Sequence, residues 1–151
     1  MHVRDMAQAM RERGHGAVVL VGGDGPYLEE LQRSGLACRS LANLVRPVDP
    51  LRDVRALFEL RRSLSELKPD VVSAHSSKAG WLGRVAARSL GLPVVFTAHG
   101  WAFTEGRPEP GRSVFRLAEK AVGRLASRII AVSEYDRQLA LKHAIAPPDT
   151  I

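Results

Sequence analysis

A single cysteine, Cys38, leaves the chain without an internal disulfide or a zinc cluster built on cysteines. A reducing, cytoplasmic setting is the expectation that follows. No apolar run approaches the ~20 residues that span a bilayer. The longest runs, Ala17 to Val21 and Ile129 to Val132, have the length of strands. The N-terminal stretch carries no secretory h-region, because Asp5, Arg11, Glu12 and Arg13 interrupt it. No G-x-x-x-x-G-K-[ST] occurs, which argues against a P-loop nucleotidase. G-x-S-x-G is missing too, so His99-Gly100 is poorly read as a hydrolase oxyanion loop. Gly23-Asp24-Gly25 begins like a dinucleotide fingerprint, but Leu28 stands where the third glycine belongs. Internal repeats, low-complexity tracts and linkers are absent.

What is present fits one globular domain: 151 residues, 45% hydrophobic and 25% charged, enough for a single core. The formal charge of +6, mostly from arginine, favours phosphates, acidic lipid headgroups or nucleic acid without choosing among them. Nucleic acid is set aside, since neither an aromatic-and-basic strand motif nor a recognition helix is found.

Periodicity gives the elements. Val3, Met6, Ala7 and Met10 form one helical face over Val3 to Arg13, stopped at Gly14. Ala17 to Val21 is apolar at successive positions, which predicts a strand covered on both faces. A short helix over Tyr27 to Arg33, a strand over Leu36 to Leu41 and a helix over Asp53 to Leu67 follow. Strict alternation then sets in, with strands Val71 to Ala74, Val94 to Thr97 and Arg128 to Val132. The matching helices are Ser77 to Leu90, Arg112 to Ala126 and Ser133 to about His143, and a Gly/Pro-rich loop covers Gly100 to Gly111. Such alternation with short connections predicts an α/β domain, doubly wound around a mostly parallel sheet.

Ligands of open α/β sheets bind beyond the carboxyl ends of the strands. Three polar corners take that position: His75-Ser76-Ser77-Lys78, His99-Gly100-Trp101 and Ser133-Glu134. His99 is the leading candidate, because an imidazole between a strand end and a glycine is poorly explained as core filling and can donate or accept near neutral pH. His75 reads either as a ligand contact or as a loop brace. Ser133 has capping-box spacing to Asp136, and Ser76 or Ser77 can cap the next helix. With Lys78, the same helix start also suits a phosphate. Gly80, Gly83, Ala86 and Ala87 form a small-residue face suited to close helix–sheet packing. Arg112, Arg116, Lys120 and Arg124 repeat every four residues beside apolar Val114, Leu117, Ala118, Ala121 and Leu125. That stripe reads as a solvated face or, more sharply, as a membrane-facing surface for anionic lipid. His2, His15 and His143 receive no role.

Arg13-Gly14-His15, Pro69-Asp70-Val71-Val72 leading to His75-Ser76-Ser77-Lys78-Ala79-Gly80, Thr97-Ala98-His99-Gly100-Trp101-Ala102-Phe103 and Ile130-Ala131-Val132-Ser133-Glu134 together resemble family 4 glycosyltransferases. The bacterial branch that extends lipid-linked oligosaccharides for exopolysaccharide, capsule or O-antigen is the nearest in look. The resemblance implies a GT-B fold of two Rossmann-like domains, the N-terminal one holding the acceptor and the C-terminal one the nucleotide-sugar. It further implies retaining transfer of a hexose or N-acetylhexosamine to a lipid-linked or polysaccharide acceptor. No metal or cofactor is implied, the nucleotide-sugar being a substrate. By resemblance His99 approaches the transferred sugar, where it stabilises developing charge or orients hydroxyls. His75, Ser76, Ser77, Lys78, Gly100, Trp101, Ser133 and Glu134 fall on the acceptor side. A peripheral position at the inner face of the plasma membrane follows from such an acceptor.

Family members begin with a strand and glycine loop ahead of the helix matching Val3 to Arg13, and continue into a donor domain after the region of Ile151. Residues 1–151 are therefore expected to be an acceptor-side domain truncated at both ends, inactive alone. In the usual 3-2-1-4-5 order the absent strand lies mid-sheet, between Ala17–Val21 and Val71–Ala74. Its loss strands backbone groups worth ~1–3 kcal/mol each when buried. Closure of the two neighbouring strands onto each other is the alternative. A non-catalytic module that holds a lipid diphosphate, or pairs with a separate donor-domain chain, is the competing functional expectation.

Overall fold

The computed structural model describes residues 2–104 and 108–151. Three residues of the predicted Gly100–Gly111 loop, 105–107, lie outside the described residues. The elements follow the predicted alternation: α1 (His2–Glu12), β1 (Val18–Gly22), α2 (Pro26–Arg33), β2 (Ala37–Leu41), α3 (Pro50–Leu67), β3 (Val72–His75), α4 (Ser77–Ser89), β4 (Val94–Ala98), α5 (Gly111–Gly123), β5 (Arg128–Ala131) and α6 (Glu134–Lys142), then a 3-10 turn at Pro148–Thr150. Helix α3 starts a turn earlier than predicted because Pro50 suits a first helical position, where a missing N–H costs nothing.

All strand pairs are parallel, but they form two sheets, β1-β2 and β3-β4-β5. Two compact units correspond to this division, Met1–Glu59 and Leu60–Ile151. In the first, Ala7, Val19, Leu31 and Leu36 make a small core, with Val3, Ala17, Val21, Tyr27 and Cys38 packed against it. Arg4 pairs with Glu30, and Arg11 Nη1 donates to the Gly35 carbonyl at 2.6 Å, tying α1 to α2 and its exit. The prediction that β1 is covered on both faces fails at Val18, which is 45% exposed. A two-stranded sheet has too few neighbours to shield both sides.

The second unit holds the larger core, in which Ala74, Ala86, Ala87, Val94, Phe96, Ala98 and Ile129 are buried. Helix α4 lies close on its sheet through the small residues. A Cβ on Gly80 would come within 2.4 Å of the Phe96 ring, so only glycine permits that approach. One pair of charges is sealed inside: Arg84 of α4 is 0% exposed and Glu119 of α5 is 1% exposed. Arg84 Nη2 donates to Glu119 Oε2 at 2.7 Å and Nε donates to the Gly80 carbonyl at 3.0 Å. The guanidinium carbon also stands 4.0 Å from the Phe96 ring centroid, a cation–π contact. Burial pulls the Arg84 pKa down, and Glu119 opposes that pull through its charge and its hydrogen bond. Among the described residues Arg84 Nη1 has no acceptor.

Candidate functional site

Because β3, β4 and β5 are parallel in one sheet, their carboxyl ends share one edge. The register pairs His75 with Thr97 and Ala98 with Ala131. His99 and Ser133 therefore leave adjacent strand ends, with His75 on the far side of β4. The 75 and 99 corners are in direct contact. His75 Nδ1 lies 3.2 Å from His99 Nε2, with ring centroids 5.5 Å apart, and Ser73 Oγ lies 3.0 Å from His75 Nε2. Ser73 and His75 are two residues apart on a strand, so they share a face.

This three-member chain has a chemical consequence. Each N···N or N···O contact needs one hydrogen and one lone pair. If Ser73 donates to His75 Nε2, His75 Nδ1–H donates to His99 Nε2, and the neutral His99 ring carries its hydrogen on Nδ1. If His75 Nε2–H donates to Ser73, His99 Nε2–H donates to His75 Nδ1, leaving a lone pair on His99 Nδ1. The outermost nitrogen is thus a donor in one state and an acceptor in the other. His75, read from sequence as a contact or a brace, is the link that sets which.

Beside it, Ser76 occupies the N-cap of α4 with φ +64° and ψ 161°, a region that only glycine enters without strain. Its carbonyl accepts the Gly80 N–H at 2.9 Å, but its hydroxyl makes no cap bond. The expectation that Ser76 caps through its side chain is therefore corrected: that carbonyl bond is the first of the helix's own ladder, and the hydroxyl adds no acceptor for the leading N–H groups. Ser77 and Lys78, both half-buried, form the first turn of α4. Ser76→Gly is expected to stabilise the unit by about 1 kcal/mol, the strain relieved being partly offset by added freedom of the unfolded chain. A higher urea midpoint at unchanged slope checks this.

His99 and Gly100 are exposed, whereas Trp101 is 3% exposed. Gly100, at φ +109°, makes the reversal that leaves the imidazole outside and sends the indole in. Trp101 Nε1–H donates to the Asp136 carbonyl at 2.9 Å, and its ring meets Phe96 and Phe103. The sequence placed Trp101 among acceptor contacts. Its burial and spent N–H make it instead the brace that holds the His99 loop against α6.

Ser133 is the N-cap of α6: its Oγ accepts the Asp136 N–H at 3.1 Å and donates to Asp136 Oδ2 at 2.6 Å. The capping reading of its spacing is thus met. Glu134 accepts from Gln138 at 2.6 Å and from Arg137 at 3.5 Å on its own helix. Both follow β5, one strand further along the edge than His99.

Arg112, Arg116 and Lys120 of α5, with Arg124 at its C-cap, do not form one stripe. Lys120 and Arg124 are exposed, whereas Arg112 and Arg116 are half-buried beside a cavity. A four-residue repeat advances about 40° beyond a full turn, so the row spirals off any single face. The outward side of α5 instead shows Val114, 60% exposed, and Leu117, 64% exposed, with Ala121 alongside. Among the described residues no helix is long and apolar enough to cross a membrane. His143, given no role from sequence, lines the cavity with Arg112 and Arg116. Its only signal was the Lys142-His143 pair at a helix end.

Comparison with known proteins bears on this edge. The Glycosyltransferase Family 4 profile matches residues 1–151. The Escherichia coli UDP-Gal:alpha-D-GlcNAc-diphosphoundecaprenol alpha-1,3-galactosyltransferase is 34% identical over 125 residues, covering 82% of this chain and 32% of that protein. Anabaena HepE, solved with UDP and glucose, superposes with a TM-score of 0.76 at 18% identity, over 98% of this chain and 38% of its own. The Neisseria meningitidis UDP-GlcNAc 2-epimerase, solved with UDP-GlcNAc, superposes with a TM-score of 0.68 at 18% identity, over 97% of this chain and 42% of its own. A protein solved with UDP and glucose and a UDP-GlcNAc 2-epimerase share this architecture, so the fold alone does not decide the reaction. The chain spans about a third of the galactosyltransferase's length. With a profile that runs its full length and a curated transferase at this identity, the chain belongs to glycosyltransferase family 4.

Proposed function

We propose that the chain is the acceptor-side domain of a retaining, nucleotide-sugar-dependent transferase that adds a hexose or N-acetylhexosamine to a lipid-linked or polysaccharide acceptor. The observation that carries this reading is the hydrogen-bonded His75–His99 pair on the carboxyl edge of a parallel sheet. An exposed imidazole whose outer nitrogen can switch between donor and acceptor suits the anomeric region of a sugar, where charge develops and hydroxyls need orienting. Ser77 and Lys78, at the start of α4, supply the setting for an acceptor phosphate. The relative from E. coli is named for a diphosphoundecaprenol acceptor, which supports a lipid diphosphate. The donor nucleotide would be held by a second domain, as the two-domain architecture of the family implies.

Exposed Val114, Leu117 and Ala121, with Lys120 and Arg124 beside them, give α5 a surface suited to rest on an anionic bilayer, where such an acceptor resides. Such a surface supports a peripheral position at the inner face of the membrane.

For the chain of 151 residues, a short-chain lipid diphosphate sugar is expected to bind while no sugar is transferred from any nucleotide-sugar. Lys78→Ala is expected to weaken that binding about tenfold, the loss of one charge-assisted contact. Turnover by the chain alone would refute the inactivity. Undetectable binding of the diphosphate sugar would refute the acceptor role.

A further inference from the structure

The cavity between α5 and α6 has a composition that the proposed sugar transfer does not use. It measures about 170 Å³ and is lined by Phe103, Arg112, Arg116, Leu139, Lys142 and His143. Phe103 is 3% exposed and forms an apolar wall, with the His143 ring edge-on to it at 5.6 Å. Two helices thus bring three permanent cations and an imidazole around one space. The available countercharge is small. Glu109 binds Arg112 Nε at 3.0 Å, and Arg116 Nη2 donates to the Ser113 hydroxyl at 3.3 Å. Among the described residues no carboxylate pairs with Arg116 or Lys142.

Like charges gathered over an apolar wall raise the local potential and repel one another, and an anion relieves both. The imidazole registers that field. Burial, then the charges of Arg116, Lys142, Arg112 and Lys120, hold the His143 pKa below its ordinary value. The space is several times the ~30 Å³ that one water occupies in the liquid, which leaves room for a tetrahedral oxyanion and part of its ester. Guanidinium forks and an ammonium are the donors that phosphate oxygens favour.

We propose that this cavity binds a phosphate group, with Arg116 and Lys142 as its principal donors, Arg112 and His143 completing the ring, and Phe103 with Leu139 as the apolar wall. The site is separate from the His75–His99 edge and does not depend on the transferase reading. Two sources carry the same chemistry. One is the headgroup of an anionic phospholipid, for which Val114 and Leu117, exposed on the same helix, offer apolar neighbours. The other is a soluble phosphate.

The test uses the full chain, isotope-labelled, at constant pH, with inorganic phosphate and glycerol 1-phosphate as soluble probes. The His143 ring resonances are expected to shift saturably. Arg116→Gln combined with Lys142→Gln is expected to weaken binding about tenfold or more, and Arg88→Gln on α4, outside the cavity, is expected to leave it unchanged. In a parallel arm, flotation with phosphatidylcholine vesicles is compared with and without phosphatidylglycerol. Charge-dependent flotation that falls in the double variant supports the site and identifies a lipid headgroup. Saturable shifts that fall in the double variant without such flotation support it and identify a soluble phosphate. Lys142 is exposed, so Lys142→Gln alone carries the comparison if the double variant does not fold. The proposal fails if neither arm separates the cavity variant from the parent chain, or if Arg88→Gln loses as much.

Discussion

Glu119→Ala is expected to cost about 3–5 kcal/mol, the loss that follows when one partner of a buried ion pair is removed. Arg84 would remain with no accessible surface and with a single carbonyl acceptor, that of Gly80. Its charge can neither reach water nor be satisfied where it is. A loss of that size is about a fifth or more of the ~5–15 kcal/mol that keeps a domain folded. The pair itself need not stabilise the unit. Replacing both residues, Arg84→Met with Glu119→Leu, is expected to be near neutral, since it removes two desolvated charges as well as their attraction. Trp81 and Trp101 both belong to the second unit, so tryptophan fluorescence in urea follows its unfolding. A Glu119→Ala loss below about 1 kcal/mol would mean that Arg84 finds solvent by a small rearrangement. The consequence reaches the functional edge: the pair joins α4 to α5, and α4 begins at Ser77 and Lys78, so loosening it releases the proposed phosphate-binding turn.

Most element boundaries were legible because hydrophobic period and glycine stops act locally. Val3, Met6, Ala7 and Met10 imply a helix whatever surrounds them, and α1 follows within a residue of the predicted span. The capping link from Ser133 to Asp136 is likewise a three-residue matter, and it forms. What the sequence concealed depends on partners. Val114 and Leu117 mark an apolar side of α5, but periodicity cannot say whether anything covers it, and here solvent does. The inward side of the same helix carries Glu119, a charge that sequence reasoning assigns to the surface and that only Arg84, 35 positions away, makes tolerable inside. Trp101 looked like a ligand platform because it neighbours His99. Its inward turn is set by the backbone at Gly100 and by a carbonyl on α6, neither of which a local motif reveals. His143 and Arg116 are 27 positions apart, and the cavity they line exists only after α5 and α6 pack.

In a two-domain transferase carrying this chain as its acceptor side, His99→Ala is expected to lower kcat by about 100-fold or more, the magnitude seen when one preorganised electrostatic or proton-handling group is deleted. KM for the acceptor is expected to move by less than about threefold, because an interaction formed mainly in the transition state leaves ground-state binding intact. His75 gives the prediction its discriminating power. If the Ser73–His75–His99 chain sets the hydrogen-bonding state of the outer His99 nitrogen, removing the middle ring should act through His99 while never touching the sugar. His75→Phe keeps a ring in place but severs both hydrogen bonds. It is expected to lower kcat by about tenfold, since the outer His99 nitrogen then loses the partner that sets its hydrogen-bonding state. His75→Phe in the His99→Ala background is expected to add little, because two residues that act as one unit do not lose activity additively. Should His99→Ala leave kcat unchanged, the imidazole is a bystander. Full additivity of the two losses would mean instead that each ring meets the substrate separately, and that their 3.2 Å contact carries no shared chemistry.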